Sequence, residues 1–344
     1  MKKDSLISIA ERVGCSVSTV SRVLGGNAAR YRISDRTVER VMEEVRRSNY
    51  TPSLLAKGLR TNRTDTIGLL IPNIENIFFA NMAGVIIREA RGCGYKVIVA
   101  DTQEDANNER NGLSSLLARS VDGIIAAPCG NDAELFRNVQ QSGVPLVMVD
   151  RYFADAPEFS YVTTDNYRGA VMATEHLLSN GHRRIACIQG TPYSTPVKDR
   201  VRGFVDTMRS AGVADDDITV TGDDFSIRNG YLETQLALAR PQRPTAILAL
   251  SNMILMGVLK AVKESELRIP DDISVISFDD NPMFNYLDPA ITCIGQPSEG
   301  IGTLAVKLLT QAMGGESVTP SHIHLCPTLF SRRSVDNLLL HNSH

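Results

Sequence analysis

Apolar positions change their period along the chain near residue 65. Before it they recur with helical spacing: Val38, Val41, Met42 and Val45 stand at i, i+3, i+4 and i+7, one stripe along a helix that Ser34 can cap. Ahead of that stripe, Ser5 can cap a helix over residues 6–13, Gly14 can end it, and Ser16 can cap a second over 17–24. The pattern predicts helix, tight turn, helix, and a third helix closing one small core. From Thr66 onward, short apolar runs at 67–71, 95–100, 123–127, 145–149, 184–188, 245–250 and 273–278 alternate with helical stretches at 82–91, 109–119, 167–180 and 253–264. Strands apolar on both faces and joined by crossover helices make parallel sheets covered on either side. So many strands exceed one core and predict two α/β lobes, with the cleft between them as the natural ligand site.

Composition narrows the class. With 43% hydrophobic and 22% charged residues, the chain is ordinary globular protein rather than disordered or fibrous. Its longest apolar runs fall short of the roughly 20 residues a membrane span needs. Lys2 and Lys3 are followed at once by Asp4 and Ser5 with no apolar stretch and cleavage site behind them, so no secretory signal is expected and the chain is expected in the cytoplasm. The cysteines lie far apart without a CxxC pair, as reduced thiols would.

The net charge of −3 conceals a split. Residues 1–63 carry 13 Lys/Arg against 6 Asp/Glu, and the remainder carries 23 against 33. A basic head on an acidic body suits a polyanion bound by one end. In the helix-turn-helix, Gly14 stands where the turn has no room for a side chain, and Ala10 is small where two helices cross. Val20 and Val23 face inward, leaving Val17, Ser18, Ser21 and Arg22 outward. Short helices also build protein-interaction modules, but the basic surplus favours DNA. Val17, Ser18 and Arg22 are expected at base edges, with Ser16, Thr19 and Ser21 on phosphates.

The segments SLISIAERVGCSVSTVSRVLGG, ISDRTVERV, NYTPSLLAKGLR and TDTIGLLIPNIENIFFANM resemble the head, hinge and first core strand of the lactose-repressor/galactose-repressor (LacI/GalR) family. The likeness continues through VDGIIAAP, VPLVMVDR, VTTDN, GHRRIACIQG, RVRGF, GDDFS and ISVISFDD to ITCIGQP, nearly the whole chain in order. It implies an α/β protein in which a three-helix head (1–51) and hinge helix (52–64) precede a two-lobed, periplasmic-binding-protein-like core (65–344). Lobe 1 is expected at about 65–163 and 296–325, and lobe 2 at about 164–292 and 326–340. By the same resemblance Leu59, after Ala56 and Lys57, is expected to wedge a central base step in the minor groove. The segment after Pro52 is too short to be a stable helix alone, which makes it a natural switch. Three departures stand out: a longer, more basic link GGNAARYRIS, Ile77 where the family pattern has proline, and Ser251 where many members carry an asparagine that touches sugar.

In the core, charged residues at the carboxyl ends of parallel strands face the crevice. Asp279 closes the run ISVISF and is expected to accept from ligand hydroxyls, with Asp280 read as capping the turn before Pro282. The resemblance matches Arg200 to a ligand-donating arginine, with Phe78, Phe79 and Phe225 as stacking faces and Asp165, Ser251 and Gln296 as further contacts. Gly300, Gly302 and Ala305 form a weak GxGxxA match, which a helix capped by Ser298 would place inside a helix as packing rather than a dinucleotide loop. His322, His324 and Cys326 alternate along a predicted strand without a fourth metal ligand, and read as a mixed strand face. No metal, cofactor or catalytic constellation is expected. A transport binding protein would need a signal peptide, and an enzyme a nucleophile that is absent. The expectation is a homodimeric repressor of a carbohydrate operon, bound to palindromic operator DNA and controlled by a sugar or sugar-phosphate effector.

Overall fold

The computed structural model describes residues 5–48, 63–315 and 319–341. The chain divides into two compact units between Thr64 and Asp65. The predicted hinge residues Ala56, Lys57 and Leu59 lie outside the described residues.

The first unit packs α1 (Leu6–Val13), α2 (Val17–Leu24) and α3 (Asp35–Arg47) around Ile9, Val20 and Val41, which are fully buried. Each helix starts on the serine that predicted it: Ser5, Ser16 and Ser34 accept from backbone N–H groups in the first turn. Ser5 and Ser8 complete a reciprocal capping box. Gly14 ends α1 at φ 70°, a left-handed conformation that a side chain would strain. Across the turn, the Arg40 guanidinium donates to the Val13 carbonyl, tying α3 to the end of α1. The long link after α2 is a built turn: Tyr31 N–H reaches Asn27 O and Ile33 N–H reaches Ala28 O, while Ala28 and Ile33 pack on the head core.

The second unit holds two six-stranded sheets. Lobe 1 contains β1 (Thr66–Ile71), β2 (Lys96–Asp101), β3 (Gly123–Ala126), β4 (Leu146–Val149), β5 (Ser160–Thr164) and β11 (His322–Leu325), in the order β11-β5-β4-β3-β1-β2 and parallel throughout. Lobe 2 contains β6 (Ile185–Ile188), β7 (Ile218–Thr221), β8 (Ala246–Ala249), β9 (Ser274–Phe278), β10 (Thr292–Gly295) and β12 (Thr328–Phe330), in the order β12-β10-β9-β8-β6-β7. Only β12 runs antiparallel to its neighbour. The chain passes between the sheets after β5, after β10 and between β11 and β12, and these crossings join the lobes.

The structure adds β5, β7, β10 and β12 to the runs seen in the sequence. These are three to five residues long and rich in Ser and Thr, so they lack a continuous apolar signal. Two expected caps move by one residue. The helix Ser298–Met313 starts after Pro297, and Ser298 makes no cap hydrogen bond. The turn before Pro282 is capped by Asn281, while Asp280 instead accepts from Arg332 at 2.9 Å. Gly302 is inside its helix, where a Cβ would meet Val85 at 2.7 Å, so its role is close packing against the helix Ile77–Gly92. His322 and His324 lie on the exposed face of β11: one ring stacks on Tyr161 at 4.6 Å and the other contacts its hydroxyl at 3.1 Å.

Candidate functional site

In the head, α2 presents one outward face. Val17 is 40% exposed and Ser18 is exposed, while Val20 and Val23 on the opposite side are buried. Ser16 accepts from Thr19 N–H at 3.1 Å, and its hydroxyl lies 2.8 Å from both Ser18 Oγ and Thr19 Oγ1. This hydroxyl cluster at a helix N-terminus can donate to phosphate oxygens. Ser21 and Arg22 lie one turn further on, both half-buried, with the Arg22 guanidinium 4.0 Å from the Tyr31 ring centroid.

In the core, the carboxyl ends of strands from both sheets converge on one small cavity. Phe78, Phe79, Arg200, Phe225, Ser251, Asp279 and Gln296 all line it. Asp165 does not: its carboxylate caps the helix Asn166–Ser179 by accepting from Arg168 N–H at 2.9 Å. The cavity also takes Asn76, Asp150, Arg151 and Pro196, which the sequence reading did not single out. Asp150 and Arg151 directly follow β4, so the strand-end rule that found Asp279 would have found them. A roomier hollow of about 310 Å³ lies at the edge of lobe 2 by Arg184, Asp216 and Asp217. Those charged side chains are exposed, whereas buried charged side chains from both lobes converge on the interlobe cavity, which makes it the better ligand site.

Two buried ionic groups dominate each wall. Asp150 sits at φ 60° with its Oδ1 lacking a hydrogen-bond partner and its Oδ2 3.8 Å from Arg151 Nε. Burial pushes the Asp150 carboxyl up to about 6, against the opposing pull of Arg151 and Arg200. Arg151 forks onto Glu104 and lies 4.9 Å from the Phe225 ring and 5.7 Å from Phe79. Its Nε also has no hydrogen-bond partner. From the other lobe, Arg200 donates to Leu250 O at 2.7 Å and Asn166 Oδ1 at 2.8 Å, and stacks on Phe278 at 3.7 Å. Burial lowers the Arg200 pKa, opposed by Asp279 and Asp150.

Asp279, buried and at φ 73°, accepts from Gln296 Nε2 at 2.5 Å and from Asn252 N–H at 3.4 Å. Its pKa is raised by burial against Arg200 and these bonds. Gln296 in turn accepts from Thr164 Oγ1 at 2.6 Å, linking two of the crossings between lobes. Ser251 uses its oxygen to cap the helix Asn252–Glu264, accepting from Ile254 N–H at 3.2 Å. Outside the cavity the lobes also touch directly: Thr195 Oγ1 lies within 3.2 Å of both Tyr152 N and Tyr152 O, and Tyr193 OH donates to Cys129 O. Such a site offers carboxylates to accept from hydroxyls, guanidinium groups to donate, and phenyl faces for C–H surface.

A family model described as bacterial regulatory proteins, lacI family, matches residues 5–53, and one described as periplasmic binding protein-like domain matches 174–335. The ribose operon repressor of Escherichia coli (strain K12) is 32% identical over 95% of this chain and 98% of its own length. The lac repressor dimer bound to operator and an anti-inducer matches with a TM-score of 0.85 and 25% identity, over 97% of this chain and 100% of that one. A LacI-family regulator from Enterococcus faecium with bound ribose matches with a TM-score of 0.72 and 27% identity, over 79% and 99%.

Proposed function

The chain belongs to the lacI family of bacterial regulatory proteins, and from that premise we propose that it is a transcriptional repressor of a carbohydrate operon, switched by a monosaccharide held between its core lobes. The observation that carries the reading is the interlobe cavity, where Asp150, Arg151, Arg200, Asp279 and Gln296 converge beside Phe78, Phe79 and Phe225 in a chain that also carries a helix-turn-helix head. Asp150 and Asp279 line it against Arg151 and Arg200, and Arg151 is already forked onto Glu104, which favours a neutral sugar over a phosphate ester. The ribose-bound relative supports a pentose as the first compound to test.

In this reading the protein acts in the cytoplasm as a homodimer, because one head reads half of a two-fold operator. Val17, Ser18 and Arg22 read base edges, Ser16, Thr19 and Ser21 hold phosphates, and Leu59 with Ala56 and Lys57 enters the minor groove. Sugar bound to both walls changes how the lobes are held, and with it the spacing of the paired hinges. The chain is not an enzyme. A thermal-shift screen of pentoses, hexoses and their phosphates, followed by gel shift on duplexes selected from a random pool with and without the hit, tests the proposal. Stabilisation by a pentose or hexose that also changes duplex affinity is expected. Turnover of the sugar, or a hit that leaves DNA binding unchanged, would overturn it.

A further inference from the structure

The long basic link after α2 has a specific geometry that the resemblance does not explain. Its turn is closed by the Tyr31-to-Asn27 and Ile33-to-Ala28 backbone bonds, and Ala28 and Ile33 anchor it to the head core. Tyr31 is thereby held at the rim, 45% exposed, with its ring against α2. The Arg22 guanidinium lies 4.0 Å from that ring's centroid, and Arg30 approaches the same ring at 5.9 Å. The Arg22 guanidinium makes no hydrogen bond or ion pair with the described residues, whereas Arg12 and Arg47 are both paired with Glu44 and Arg40 is bonded to Val13.

A planar guanidinium stacked on an aromatic face keeps all its N–H donors free at its edge, since stacking uses the face alone. It also loses fewer orientations on pairing with a guanine than a free arginine would. We infer that Tyr31 is a specificity-setting residue: its ring holds the Arg22 guanidinium in the plane from which α2 reads a base edge. Tyr31 acts through Arg22 and is a positioning residue. The inference rests on the DNA-binding reading of the head.

The test uses the full chain and the duplex it enriches from a random pool. The readout is the ratio of affinities for that duplex and for random duplex, for Tyr31→Ala, Tyr31→Phe, Arg22→Ala and the Arg22→Ala/Tyr31→Ala pair. Tyr31→Ala is expected to lower the ratio about tenfold, within the reach of one bidentate contact. Tyr31→Phe should keep it within about twofold, because the ring and not the hydroxyl does the stacking. In the Arg22→Ala background, removal of Tyr31 should change nothing further. An unchanged ratio in Tyr31→Ala, an equal loss in Tyr31→Phe, or a further loss in the double variant would each overturn the inference. Circular-dichroism melting reads head folding independently, and a loss of ratio that tracks a melted head overturns it as well. A wild-type chain that enriches no sequence would refute the DNA-binding reading itself and this inference with it.

Discussion

Arg151 and Glu104 meet in a two-bond fork, Nη1 and Nη2 each 2.6 Å from a carboxylate oxygen. The arginine side chain is 6% exposed and the glutamate 27%, so the ion pair is largely shielded from water, with Arg151 at the wall of the interlobe cavity. Removing the acid leaves the cation between two phenyl rings with Asp150 as its nearest remaining carboxylate.

Glu104→Ala is therefore expected to destabilise the core by about 3 kcal/mol, the usual result of orphaning one member of a buried pair. Urea unfolding followed by circular dichroism should show a lower midpoint with an unchanged slope. An unchanged midpoint would mean that solvent at the open side of Glu104 already carries the charge of Arg151.

Asp150 gives a pH signature. In the folded chain its carboxyl titrates near 6, raised by burial, against about 3.9 when unfolded. The folded state thus keeps a proton that the unfolded state releases, so stability falls as pH rises from about 4 to 6 and the cost is complete above about 6. Asp150→Asn is expected to raise the sugar-free Tm at pH 7.5, by at most about 3 kcal/mol of stability, with the advantage vanishing toward pH 4. A gain independent of pH would assign the effect to packing instead.

The three head helices were legible in the sequence, because each has a serine cap at its start and the Gly14 stop is visible locally, whereas the turn of the link after α2 was not. It carried the buried parallel strands, whose apolar runs are continuous, and missed β5, β7, β10 and β12, which rely on neighbours more than on their own side chains. In the cavity, aromatic residues and the Asp279 strand end were readable. Asp150 and Arg151 were passed over although they follow the run 145–149. Glu104 was beyond reach, since its partner lies 47 residues away and no local spacing announces the contact. Asp165 misled for the converse reason: an aspartate after a strand and before a helix satisfies the cap of that helix as readily as it faces a cleft.

Asp279 tests the placement of the sugar. Truncating one charged partner of a hydroxyl costs about 1.5–3 kcal/mol, a ten- to hundredfold weakening. Asp279→Ala is expected to weaken the sugar by that factor in titration calorimetry, while the sugar-free chain holds operator as before. Undiminished sugar affinity would place the ligand against other residues, with Asp150 and Arg151 the next to be changed.

The two compact units predict separable failures. Ile9 is fully buried in a head core whose other buried members among the described residues are Ala10, Val13, Val20, Val23 and Val41. Truncating a buried isoleucine costs about 2–5 kcal/mol, a large part of what so small a domain can hold. Ile9→Ala is therefore expected to abolish operator binding at 37 °C while leaving the sugar-induced rise in core Tm unchanged. Gel shift and thermal denaturation on the same preparation read both outcomes. If the sugar response fell in step with DNA binding, the core would depend on the head for its fold, and the division between Thr64 and Asp65 would not mark independent folding units.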